Sequence, residues 1–236
     1  MNSQSAAAVG ERSGNGLGRQ RAWGVLGLIA QASFMLGWLV AETWQGPRYS
    51  LVKHSISDLQ AATAPHAWFP ISCFAIGGLG TFTFAIFGLR PALRAACTTA
   101  AYAPWLLALA ALALGNSFPQ IPCRLADPGC SPHLQLHSPG GWTDAIVSGV
   151  AFLVLVLTPF PMWRRLAVLP QWRQLKPVML AARVIGPACF LAFAISSSIH
   201  STPGVGLIER ILVTTSVVWI SALAIELIVL SPAPST

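Results

Sequence analysis

Residues 23–41 read WGVLGLIAQASFMLGWLVA, a run with no charged side chain and with Trp at its start and near its end. It has about the roughly 20-residue length that a bilayer core demands of a helix. Its apolar residues are continuous and do not alternate, which indicates a helix and not a barrel strand. Arg12, Arg19 and Arg21 precede it in a polar, Gly/Ser-rich segment, an order also found in secretory leaders. Behind the run, however, Glu42-Thr43-Trp44 supplies no small-residue cleavage site, so it is expected to stay as a first span.

Five further runs of this kind follow, at 68–89, 100–117, 142–160, 178–199 and 206–230. The expected fold is all-α: an integral membrane bundle of six transmembrane helices over residues 23–230. Residues 1–22 are expected to form a disordered cytoplasmic tail, and 231–236 a short C-terminal one. Composition agrees. Of 236 residues 54% are hydrophobic and 9% charged, against roughly 25% charged in a soluble domain. Gly77, Gly78 and Gly80 in the second span allow close helix approach.

The basic residues set an orientation. Arg12, Arg19, Arg21, Arg90, Arg94, Arg164, Arg165, Arg173, Lys176 and Arg183 fall on one side of the six spans. Arg48, Lys53, Arg124 and Arg210 fall on the other. The richer side is expected to be cytoplasmic, with both termini inside. The formal charge of +7 is spread over short loops, which suits lipid headgroups as partners and speaks against nucleic acid.

Cys73, Cys97 and Cys189 lie in or beside apolar runs and suit packing. Cys123 and Cys130 share a loop rich in Pro and Gly. They either close a disulfide ring, if that loop meets an oxidising compartment, or remain free thiols.

The outward side also collects His54, His66, His133, His137 and His200, with Glu42, Asp58, Asp127, Asp144 and Glu209. Solvated loops explain this equally as well as a site at the mouth of the bundle. Within 49–59, YSLVKHSISDL, the residues Leu51, Ile56 and Leu59 can dock the segment. As a helix it would put His54 and Asp58 on one face; Asp58 is equally suited to capping or a turn. Glu209 and Arg210 lie one turn inside the sixth span, where an ionised group needs a partner. Lys53 or Arg48 could serve Glu209, and Asp58 or Asp144 could serve Arg210, unless Arg210 snorkels to headgroups. Glu226 is expected at the inner interface and Arg183 as a cytoplasmic snorkeller. Asp127-Pro128-Gly129 is a turn signal, and Pro132 and Pro139 bracket His133 and His137.

Two functions fit. One is a membrane protein that binds a lipid or isoprenoid at the extracytoplasmic mouth, through Arg48, Lys53, Ser57, His200 and Arg210. The other is an enzyme using Asp58, Glu209, His54 and Asp144 for acid–base catalysis on such a molecule. Terpene-cyclase-type chemistry, with Trp38, Trp44, Trp68 and Trp142 shaping an aromatic pocket, is one example. A zinc-dependent lipid hydrolase using His54, His137 and His200 is a lesser alternative, and otherwise no cofactor is expected. There is no phosphate-cradling Gly loop, dinucleotide fingerprint or nucleophile elbow. Charges in mid-span are also missing, which argues against a proton-coupled transporter or channel.

The chain resembles a prokaryotic six-span family of the domain-of-unknown-function 998 type, broadly similar to Frag/DRAM/Sfk-type membrane proteins. The resemblance rests on Tyr49-Ser50 with His54-x-Ile56-Ser57-Asp58-Leu59, on Phe118-Pro119 followed by Cys123, and on Gly206-Leu207-x-Glu209-Arg210. It implies the six-span fold and a prokaryotic inner or plasma membrane, and brings no reaction. Where members often carry a His near the start of the fourth span, this chain has Trp142-Thr143-Asp144.

Overall fold

The structure, a computed structural model, describes residues 3–96, 98–115, 121–198 and 204–230. Among the described residues all regular structure is helical. Helix α1 is Ser3–Ala41. Helix α2, Trp68–Thr83, continues through a π-helical turn at Phe84–Leu89 into Arg90–Ala92. Then come α3 (Ala103–Leu114), α4 (Pro132–His137), α5 (Pro139–Leu157), α6 (Pro159–Ala167), α7 (Lys176–Ser198) and α8 (Val205–Val229).

Five helical stretches are long and apolar enough to cross a membrane: Gly18–Trp44, Trp68–Ala92, Pro139–Ala167, Pro170–Ser197 and Val205–Val229. The expected third span is shorter. Helix α3 has 12 residues, about 18 Å at 1.5 Å per residue, and it stops at Gly115. Helix α1 starts ahead of Trp23, because extending a formed helix needs no new nucleus. Helix α5 starts at Pro139, three residues earlier than its apolar run. Ser138 caps it by accepting the Gly141 N–H at 3.0 Å, and Pro suits the first helical position.

The long helices pack in chain order, α1 on α2, α2 on α3, α3 on α5, α5 on α7 and α7 on α8. Helix α8 returns to α1 and closes the ring. Small residues let the backbones meet: a Cβ on Gly78 would lie 2.6 Å from the Gly115 Cα and from the Ala111 carbonyl. Phe74, Phe84, Leu107, Trp219 and Leu223 fill the interior. Ile76, Leu109, Leu153, Val184 and Val218 face outward and exposed, the inverse of a soluble surface and the pattern a bilayer requires.

One end of the ring is basic, carrying Arg90, Arg94, Arg164, Arg165, Arg173 and Lys176. There two expectations are corrected. Glu226 is buried, not interfacial, because the 3-10 turn Pro170–Leu175 brings the Gln174 amide to donate to its carboxylate. Arg183 does not simply reach outward. Its guanidinium lies 4.9 and 5.3 Å from the ring centres of Phe160 and Trp163, which cation–π attraction favours.

Candidate functional site

The opposite end carries the acids, and a strap formed by residues 46–60 organises it. The chain leaves α1 through a short 3-10 turn, Glu42–Trp44, and reverses at Gly46, whose φ of 81° is the left-handed region that Gly tolerates. It then lies across the start of α8. There the Gly206 N–H donates to the Val52 carbonyl at 3.0 Å.

Arg210 holds the strap from one side. Its Nη1 donates to the Leu51 carbonyl at 2.8 Å, the His54 carbonyl at 2.9 Å and the Gly206 carbonyl at 2.8 Å. Its Nη2 donates to the Tyr49 hydroxyl at 2.8 Å, and its Nε to Glu42 Oε1 at 2.6 Å. Glu42 is also its ion-pair partner, and the Trp38 ring lies 5.8 Å away. Glu209 holds the strap from the other side, accepting the Ile56 N–H on Oε2 at 2.6 Å. The partners expected from sequence are therefore replaced. Arg210 meets Glu42 instead of Asp58 or Asp144, and Glu209 meets a backbone amide instead of Lys53 or Arg48. The reason is capacity: the guanidinium donors divide among three carbonyls, the Glu42 carboxylate and the Tyr49 hydroxyl, a set that one carboxylate alone cannot match.

Gly206 is part of this grip. A Cβ there would collide with the His54 carbonyl and lie 2.6 Å from the Leu51 carbonyl. Gly206→Ala should therefore lift the strap, lowering stability by roughly 1–3 kcal/mol. Limited proteolysis should report faster cutting within residues 49–56, and an unchanged pattern would count against the docking.

The side chains of His54 and Asp58 have separate tasks. His54 Nδ1 accepts the Ser50 N–H at 2.8 Å, and its ring stacks on Tyr49 at 5.2 Å. Burial lowers its pKa, and the charges of Lys53, Arg124 and Arg210 lower it further. Asp58 is 1% exposed. Its Oδ1 accepts from Gln135 Nε2 at 3.0 Å and from the Leu125 N–H at 3.4 Å; its Oδ2 has no hydrogen-bond partner among the described residues. Burial raises its pKa to about 6, against the opposing pull of the Gln135 and Leu125 hydrogen bonds and the Arg124 charge.

The long loop before α5 is tied beside the strap. Cys123 and Cys130 form a disulfide with Cα atoms 6.0 Å apart. Asp127 is not a free turn residue: Arg124 pairs with it, Thr63 donates to it, and Arg124 Nη1 also donates to Gln45 Oε1 at 2.8 Å. The His133 and His137 rings on α4 lie 3.9 Å apart, tilted by 34°. Arg48 is exposed. His200, Cys97 and Phe118-Pro119 lie outside the described residues.

Beneath the strap the ring holds a partly open cavity of about 390 Å³. Glu209, Asp144, Ser57, Gln60, Gln135, Ser148 and Ser196 form its polar wall, with Lys53 at the solvent rim. Phe34, Phe74, Leu114, Phe152, Phe193 and Val213 form its apolar part. A smaller void of about 40 Å³ shares Phe34, Leu114, Phe152 and Val213 with it and reaches Gln31 and Thr81 along the bundle axis. Asp144 accepts from Ser148 Oγ at 3.2 Å. Among the described residues the ion pairs are Arg124–Asp127 and Arg210–Glu42. Neither Glu209 nor Asp144 thus has a cation within 4 Å. No group of three His, Cys, Asp or Glu that could hold a metal comes together among these residues.

Of the residues expected from sequence, Glu209, Asp144, Lys53 and Ser57 share the cavity wall. Asp58 stands one hydrogen bond behind it, through Gln135. Arg210 and His54 hold the strap and are not in the wall. Sequence reasoning missed Gln135, Gln60 and Ser148 in the wall and Tyr49 and Glu42 at the clamp. Ser148 was discoverable as the i+4 neighbour of Asp144 on a helix.

Residues 28–226 match a family described as protein of unknown function (DUF998), and the chain belongs to that family. No curated protein and no solved structure matches, so the broader Frag/DRAM/Sfk-type likeness is not shown.

Proposed function

We propose that this chain crosses a prokaryotic cell membrane six times with both termini in the cytoplasm. In this reading the cavity opens toward the extracytoplasmic side and binds an amphipathic molecule, a lipid or isoprenoid. The observation that carries it is the graded wall of the 390 Å³ cavity, polar beneath the strap and apolar toward the bundle axis. Its size falls within the range of small-molecule sites. A head would lie against Glu209, Asp144 and the serines, and a chain would extend toward Phe34 and Phe152.

The charge bias supports the orientation, and so does a disulfide at the end opposite the basic loops, since such bonds persist in oxidising compartments. Helix α3, apolar throughout its 12 residues, stands for the remaining crossing in this proposal. Reporter fusions after Arg94 and Arg173 should report cytoplasm, and one at Gly129 the outside. The reversed pattern would remove the orientation.

Gly149 provides the test of binding. It lines the cavity, and a Cβ there meets nothing within 4 Å. Gly149→Phe should fill the chamber while the protein folds normally, and at least about tenfold less lipid should copurify. Equal lipid in wild type and variant would sink the proposal.

A second reading is favoured by one observation, the two acids that form no ion pair among the described residues. A carboxyl in such a wall can hand a proton to a bound molecule and another can take one back. It requires a converted product, which extracts of cells with wild type and Asp144→Asn would reveal.

A further inference from the structure

We infer that the amphipath bound in this cavity carries a primary ammonium group in its head, set between Glu209 and Asp144. This rests on the binding proposed above and adds the chemistry of the head. Glu209 is 4% exposed and spends one oxygen on the Ile56 amide; among the described residues Asp144 meets a serine hydroxyl. Both line one cavity at the edge of the apolar bundle, and Glu209 is within electrostatic reach of Arg210 as well as of Asp58 and Asp144.

Ionised groups in such surroundings need a partner of opposite sign. The nearest basic side chain, Arg210, is consumed by Glu42, Tyr49 and three carbonyls. The remaining wall groups, Ser57, Ser148 and Ser196, accept hydrogen bonds readily from an ammonium. An anionic head would meet two carboxylates, and among the described lining residues Lys53, at the rim, is the one cation to attract it. Lys53 has a natural place in the same scheme, since a phosphate attached to the ammonium would emerge beside it.

Two sources supply a primary ammonium on an apolar chain: an aminophospholipid and a long-chain amine. Lys53 separates them, because the phospholipid has a phosphate and the amine does not. The experiment uses the full chain in neutral detergent and native mass spectrometry. Its probes are phosphatidylethanolamine, phosphatidylcholine and phosphatidylglycerol of identical acyl chains, and dodecylammonium. Phosphatidylethanolamine should be retained about tenfold over the other two phospholipids. Asp144→Asn should abolish that preference, and so should Glu209→Gln, which keeps an oxygen for the Ile56 amide. Lys53→Ala should weaken phosphatidylethanolamine and spare dodecylammonium if the phospholipid is the ligand. Weak phosphatidylethanolamine beside tight dodecylammonium, with Lys53→Ala silent, would support the amine as the source. Equal retention of the three phospholipids, with Gly149→Phe abolishing all of it, would overturn the ammonium assignment and leave the chamber intact. Preference for phosphatidylglycerol would also overturn it. Retention of no probe, or retention unaffected by Gly149→Phe, would overturn the chamber itself.

Discussion

Arg210→Ala should cost the folded protein about 3–5 kcal/mol, the usual penalty for breaking a buried charge pair. Both side chains of the pair are nine-tenths buried, so water cannot replace what is lost. The change leaves the Glu42 carboxylate without its cation and strips donors from the Leu51, His54 and Gly206 carbonyls and from the Tyr49 hydroxyl. Arg210→Lys keeps the charge but supplies a compact ammonium with three donors, so it should fall between alanine and wild type. Adding Glu42→Gln to the alanine variant should recover part of the loss, since the uncompensated charge is then gone. Thermal unfolding in detergent measures all three. An alanine variant as stable as wild type would mean that the strap is not held this way.

Asp58→Asn should act through pH. The Asp58 carboxyl is raised to about 6 in the fold, against about 3.9 in an unfolded chain. The folded state therefore holds this proton more tightly. The stability it contributes is fully present below about pH 4 and is lost as pH rises through about 6, by about 3 kcal/mol. Asparagine keeps an acceptor for Gln135 and does not titrate. Relative to wild type, Asp58→Asn should thus gain about 3 kcal/mol between pH 4 and pH 7.5. Unfolding midpoints at several pH values would check it, and curves that stay parallel would contradict it. A buried acid that weakens the fold at neutral pH is the kind of local conflict found at functional sites. Asp58 stands directly behind Gln135 in the cavity wall.

The reasons for what sequence could and could not reveal are physical. Continuous apolar runs announce spanning helices, because the bilayer constrains every residue of a span at once. Five helices follow those runs closely. Helix α3 is clearer in sequence than in the fold, since hydropathy cannot see where a helix ends at Gly115. The Gly206, Glu209 and Arg210 motif was legible as a group needing partners, and the strap as a segment with reasons to dock. Which partners they found was not legible. Glu209 took a backbone amide, and Arg210 took three carbonyls beside Glu42 and Tyr49; backbone groups carry no signature in a sequence. Gln135 meets Asp58 across a loop that the Cys123–Cys130 ring and the Arg124–Asp127 pair tie together, a pairing that sequence spacing does not announce. The cavity is less legible still, being a property of six helices together.

If the cavity holds an amphipath, a high-resolution cryo-electron density map of the protein purified in mild detergent will show elongated density beneath the strap, its head against Glu209 and Asp144 and its chain running past Phe152 toward Phe34. The same map of Gly149→Phe should lack it. A wild-type cavity closed by side-chain repacking, or filled only by separate water peaks, would mean that no amphipath binds there.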